Sequence, residues 1–183
     1  MRIISFLLIF VLFNSCRLKK DYKKEFELLR PGEARISVKI DNQSFYPEES
    51  IFKGEISIFD TFFRLNVFDQ FESNVVISFG GQNWYKEKPV RKQVFIDNQV
   101  AASVLIGKLQ QDDHTKGIGY LMTEGEITVE ALSEEKMIMH LKGKVGRYEV
   151  QREPEKWNEM EATILYKKPD MKIQATNKKD IFY

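Results

Sequence analysis

From Ala34 onward, apolar and polar residues alternate, and this alternation restricts the possible folds more than any other feature of the chain. In Arg35-Ile36-Ser37-Val38-Lys39-Ile40-Asp41 every second residue is aliphatic, and the same period recurs at 55–58 and, after a turn at Asp60-Thr61, at 63–67. A period of two places successive side chains on opposite faces of an extended strand. Val75-Val76-Ile77-Ser78-Phe79 is a further strand, ending at Gly80-Gly81. Residues 94–96 and 103–106 flank Asp97-Asn98-Gln99, an expected hairpin turn. Residues 126–131 and 137–141 flank Ser133-Glu134-Glu135-Lys136, another hairpin, and 161–166 form a last strand before Lys167-Lys168-Pro169. No segment of helical period longer than a few turns follows Gly32, and 154–160 has room for one short turn. About nine strands at short spacing predict an all-β domain: an antiparallel β-sandwich, with a closed lipocalin-like β-barrel as the alternative.

Each strand has one apolar face that a second layer must cover. The alternation therefore names a core: Ile36, Val38, Ile40, Ile56, Ile58, Leu65, Val67, Ile77, Phe79, Ile127, Val129, Met137, Met139, Leu141 and Ile164. Burying each such side chain stabilises the fold by roughly 1.5–3 kcal/mol. Apolar residues at 43% and charged ones at 30% are ordinary for a globular domain. The polar end of the chain, 175–183, is expected to fray, with Ile181-Phe182-Tyr183 able to dock back.

Ahead of the strands the chain changes character. Met1-Arg2 precedes an apolar run from Ile3 to Phe13 and then Asn14-Ser15-Cys16. A basic start, a short apolar core and a small residue describe an export signal. The run is shorter than the roughly 20 residues a spanning helix needs. Leu12-Phe13-Asn14-Ser15-Cys16 resembles a lipobox, the site at which bacterial lipoproteins are acylated and cut. Ser15 fits that pattern, while Phe13 and Asn14 depart from it in a way familiar in Bacteroidetes and spirochaetes. Cys16 is the one cysteine in the sequence, so it has no internal disulfide partner. The expected organisation is a signal peptide over 1–15, a lipidated Cys16 with a basic, flexible tether over 16–32, and a single all-β domain over 33–183. Cleavage leaves about 168 residues, enough for one domain with a real core. It also removes Arg2, and with it the formal net charge of +1. A neutral balance argues against nucleic acid as a partner. In the tether, Arg17-Leu18-Lys19-Lys20-Asp21-Tyr22-Lys23-Lys24-Glu25 sets cations beside the anchor, where each contributes about 1 kcal/mol near anionic headgroups. A merely solvated spacer is the equal alternative.

Three stretches resemble the small uncharacterised all-β lipoproteins of Bacteroidetes, which carry one domain behind a lipobox cysteine. These are Val38-Lys39-Ile40-Asp41-Asn42-Gln43-Ser44-Phe45, Gly119-Tyr120, and the hairpin from Gly125-Glu126-Ile127-Thr128-Val129 to Met139-His140-Leu141-Lys142-Gly143-Lys144-Val145. Gly143 and Gly146 stand where that family's Gly-rich phrase ends the second strand. The resemblance spans most of the chain on motifs of low specificity. It implies a β-sandwich-like fold and brings no activity, because the family has no established one. Some of these lipoproteins carry an acidic stretch after the cysteine that directs them to the cell surface. The basic stretch here points instead to the cell envelope, at the outer membrane facing the periplasm.

Residues for catalysis are sparse. His140 is expected on the outward face of its strand, opposite Met137, Met139 and Leu141. Asp112, Asp113 and His114 lie in a polar turn and are weak candidates for a divalent cation, without a second cluster at ligand spacing. No serine stands in a Gly-x-Ser-x-Gly elbow, and Gly80-Gly81 lacks the helix and lysine of a phosphate loop. Adjacent carboxylates such as Glu48-Glu49 and Glu134-Glu135 are poor acid–base pairs, since neighbours on a strand face opposite ways. Trp84 and Tyr85, with Phe71 and Phe68 near in sequence, are candidates for ligand or partner contact; the alternative is that Trp84 is a lid packed on one end of the fold. The expected function is a membrane-anchored, non-enzymatic binding or envelope-interaction module without cofactor, its partner an envelope protein. The runner-up is a carrier of a small apolar ligand in a β-barrel, and a hydrolase comes third.

Overall fold

Each of the nine alternating segments overlaps a β-strand of the computed structural model, which describes residues 22–110, 113 and 115–183. The expected signal peptide and Cys16 lie outside the described residues, as do Asp112 and His114. The chain is all-β. Its strands are β1 (Glu33–Ile40), β2 (Gln43–Ser44), β3 (Lys53–Ile58), β4 (Phe62–Phe68), β5 (Asn74–Gly80), β6 (Val90–Phe95), β7 (Ala102–Leu109), β8 (Gly117–Leu132), β9 (Lys136–Arg147), β10 (Asn158–Lys167) and β11 (Asp170–Ile173). β2 and β11 were not expected; with two and four residues they are too short to show a period.

These strands form one curled sheet in the order β11-β3-β4-β5-β7-β8-β9-β10-β1-β2, with β6 paired to β8 beside this path. Two separate hydrogen-bonded sheets, as a sandwich requires, are not what the pairing gives. The sheet is mixed, because β11 runs parallel to β3. The sixteen-residue β8 explains the continuity. Its residues 117–121 pair with β7 and its residues 124–129 pair with β6, so one strand edge serves two partners. The expected β6–β7 hairpin is thereby replaced: Ile96–Asn98 form a 3-10 turn, and both strands pair with β8 instead. The hairpin at 133–136 is present, with Leu132 opposite Met137 and the Ser133 amide donating to the Lys136 carbonyl at 2.9 Å. At its far end the sheet turns back on itself, where Ala34 and Phe52 exchange two backbone hydrogen bonds of 2.8 Å.

The long β8–β9 hairpin bends where Gly125 faces Gly143. A Cβ on Gly143 would collide with the Glu124 carbonyl oxygen and the Gly125 backbone, and one on Gly125 with the Lys142 carbonyl. Bare backbone lets the two strands approach at the bend, and a register shift between Met122 and Glu124 sharpens it.

One hydrophobic cluster fills the inner face. Every expected core residue is buried except Ile40, which is half-buried near the end of β1. Tyr166, Phe52, Phe63 and Phe79 are among the largest fully buried side chains. The Tyr166 hydroxyl donates to the Gly54 carbonyl, so its polar tip is satisfied inside.

A second, smaller cluster lies on the outer face. Helix α1 (Lys23–Leu28) places Phe26 against it, with Tyr22 and Leu29 buried on Ile138 and Leu165. The Lys167 ammonium donates to the Phe26 and Leu29 carbonyls at 2.8 and 2.7 Å, neutralising the free carbonyl end of the helix. The described part of the expected flexible tether is therefore docked. Tyr22, Phe26 and Leu29 recur at the spacing of one helical face, and that apolar stripe outweighs the surrounding charge. The far end of the chain docks too. Helix α2 (Lys178–Ile181) buries Ile181, and Tyr183 exchanges backbone hydrogen bonds with Leu132 at 3.1 and 2.9 Å.

Candidate functional site

The outward face of β1, β10, β9, β8 and β6 is crossed by rows of side chains that strand register aligns. Ser37, Thr163, His140 and Thr128 form one row. Lys39, Glu161, Lys142, Glu126 and Gln93 form the next. Between them lies an open groove of about 700 Å3 lined by both rows.

The second row alternates in charge. Lys142 meets Glu161 at 2.8 Å, and the Glu126 carboxylate accepts from Gln93 Nε2 and Thr128 Oγ1, each at 2.9 Å. The Lys142 hydrogen bond holds the Glu161 carboxyl below the usual range. One residue pair further along, Lys144 meets Glu124 at 2.8 Å, and that hydrogen bond raises the lysine above its ordinary value. Opposite charges directly across neighbouring strands attract, which favours this register. The groove floor is thus a grid of matched polar groups.

His140 is the centre of the first row and half-buried. Its Nε2 shares a hydrogen bond of 2.9 Å with Glu130 Oε2, and its Nδ1 lies 3.4 Å from Thr163 Oγ1. Glu130 is the extra residue of a bulge between Val129 and Ala131, which is why sequence spacing did not join it to His140. The Tyr22 ring lies against the imidazole, 6.0 Å between centroids, and its hydroxyl hydrogen-bonds Thr163. Burial pushes the Tyr22 phenol up. Hydroxyl, imidazole and carboxylate occur here in the order of a nucleophile, base and orienting acid. The Thr163 hydroxyl is shared between His140 and Tyr22, and the strands that carry this row are paired with one another along their ladders.

The other expected site residues fall elsewhere. Trp84 is 3% exposed, edge-on to Phe63, Phe79 and Tyr85, and its indole N–H donates to the Phe59 carbonyl at 2.9 Å. It is a packed lid and offers no contact surface. Tyr85 is half-buried beside it. Phe71 is exposed, yet it sits in the loop before β5 while Trp84 and Tyr85 follow β5. Seven strand residues separate the two loops by about 23 Å, so the three aromatics do not meet. Asp113 accepts from the Thr115 hydroxyl at 2.5 Å and amide at 3.0 Å, and pairs with Lys116 at 2.9 Å. These partners, the Thr115 hydroxyl first, lower its carboxyl and commit it to the turn. Among the described residues no three His, Cys, Asp or Glu side chains converge as metal ligands, and no helix is long and apolar enough to cross a membrane.

Comparisons with protein-family profiles, with curated proteins and with solved structures find nothing that matches this chain.

Proposed function

We propose that the protein is a lipid-anchored, non-enzymatic binding module of the bacterial envelope, and that its outward polar groove works close to the membrane surface. One observation carries this reading: Tyr22 is pinned against His140 at the groove, and it stands only six positions after Cys16 in the chain. Six residues reach at most about 20 Å when fully extended. A lipid on Cys16 therefore keeps the groove within that distance of the bilayer. We read the fold in finer detail as a packed, barrel-like shell. The meeting of Ala34 with Phe52 supports closure, and the aromatic interior supports packing over a hollow carrier.

Two measurements test this. Metabolic labelling with a fatty-acid analogue is expected to mark the wild type and spare Cys16→Ala; equal labelling of both removes the anchor. Fluorophores at Thr128→Cys, in the groove, and Leu105→Cys, on the outward face of β7, are then compared in phosphatidylglycerol-containing vesicles carrying a headgroup quencher. The Thr128 probe is expected to be quenched more strongly. Equal quenching leaves the anchor standing and overturns the placement of the groove.

A further inference from the structure

Lys108 is the penultimate residue of β7, and alternation places it on the same inward face as Val104 and Ile106. Its cross-strand neighbour is Ile118, as Tyr120 is that of Ile106. A lysine at such a position ordinarily carries its charge out to water along its own stem. Here the ammonium turns inward, donating to the Phe45 carbonyl at 2.5 Å and lying 4.6 Å from the Phe45 ring centroid. No carboxylate pairs with it among the described residues. Burial accordingly holds it below the usual lysine range.

The ammonium opens onto a cleft of about 310 Å3 at this end of the sheet. Ile40, Ile118 and Tyr120, all three half-buried, give the cleft one apolar wall, and Asp41, Gln43, Ser44 and Asn158 line its polar side. Tyr120 stands edge-on to Phe45, 5.7 Å away at 83°. The acid in the lining, Asp41, is occupied: Oδ2 accepts from Asn158 Nδ2 at 2.6 Å and Oδ1 from the Glu159 amide at 2.9 Å. An ammonium has three donors and the Phe45 carbonyl takes one. A partly buried cation with donors to spare, beside an apolar wall in a cleft at the lower end of ligand-pocket size, matches an anion on a short apolar body.

We propose that this cleft binds a small monocarboxylate, the carboxylate on Lys108 Nζ and the apolar chain against Ile40, Ile118 and Tyr120. The site is separate from the groove and does not depend on the membrane reading. A carboxylate on an apolar chain occurs both as a free short-chain acid and as the end of an apolar peptide, and the two are distinguished below.

The full chain, extracted in a non-ionic detergent, is titrated by calorimetry with hexanoate, with N-acetyl-leucine and with the neutral 1-hexanol. Saturable binding of at least one carboxylate is expected, and weaker binding of the alcohol. The tighter of the two acids names the source. Lys108→Met is expected to weaken the carboxylate by roughly tenfold or more, and Lys108→Arg to retain most of the affinity. Because Lys108→Met can also disturb folding, the wild type is read in parallel by NMR of its nitrogen-15-labelled lysines. The Lys108 side-chain nitrogen is expected to shift on addition of the bound acid. No saturable binding of either acid, equal binding by Lys108→Met, or a shift confined to other lysines overturns the proposal.

Discussion

The two ends of the curled sheet are built from the same kind of residue and behave differently. At one end, Phe63 stacks on Phe79 at 4.6 Å and Trp84 closes over both at 5.7 and 5.3 Å. At the other, Phe45, Tyr46 and Phe52 meet edge-on at 4.8 and 5.0 Å, with Tyr120 beyond. Both ends are aromatic clusters, so aromatic content alone does not distinguish a plug from a site. Polar atoms do. The indole N–H at the first end is matched by the Phe59 carbonyl, and nothing in that contact invites a ligand. The second end holds an ammonium whose one bonded oxygen is a neutral carbonyl. Aromatic clusters become candidate sites through the unmatched charge beside them.

The contrast breaks most readily through stability. Trp84→Ala leaves a void in the plugged end and is expected to cost about 3–5 kcal/mol by urea denaturation. Phe45→Ala borders the open cleft, where water can enter, and is expected to cost about 1–2 kcal/mol. Equal losses would make the two ends alike. Gly143→Ala tests the bend between them: its Cβ meets the Glu124 carbonyl, and a loss of about 1–3 kcal/mol is expected from forced backbone movement. A neutral result would show that the hairpin bends without the glycine pair.

Much of the plugged end is legible in the alternation, and little of the open end is. Phe63 and Phe79 follow their strands' period, and so do the aliphatics that pack with them. The pairing of β6 with β8 is not legible, because the length of β8 and its bulge at Thr123 decide it, and local turn chemistry at Asp97-Asn98-Gln99 points the other way. The groove rows need the register of five strands, which no single segment carries. Glu130 needs a bulge. Two signals were present and readable: Tyr22, Phe26 and Leu29 at helical spacing, and Lys108 as the next inward position after Val104 and Ile106. The second is a charge at a core-facing position, the sort of local conflict that tends to mark function.

A smaller effect tests how firmly the open end is held. The Tyr46 hydroxyl is buried and donates to the Asn74 carbonyl at 2.8 Å, and burial raises its phenol far above the usual range. Tyr46→Phe keeps the ring and removes the bond, so a loss of about 1 kcal/mol in thermal or urea unfolding is expected. No loss would mean that water takes the place of the hydroxyl at the Asn74 carbonyl in the variant, and that this end is open to solvent at that depth.

The smallest expected effect is the most specific to Lys108. Its ammonium is held by burial below the value of about 10.4 it has in the unfolded chain. Between those two values the unfolded chain binds a proton that the folded chain has released, so this group makes stability rise with pH across that window. Below the folded value its desolvation cost is present in full; above about 10.4 it is gone. Lys108→Met has no such dependence. The urea midpoint of the wild type should therefore gain on that of Lys108→Met as pH is raised from neutrality toward 10. Tyrosines titrating in the same range do so in both proteins and cancel in the difference, so the comparison isolates one ammonium. A difference that stays constant with pH would place the Lys108 charge in free solvent, and the two ends of the sheet would then differ in packing alone.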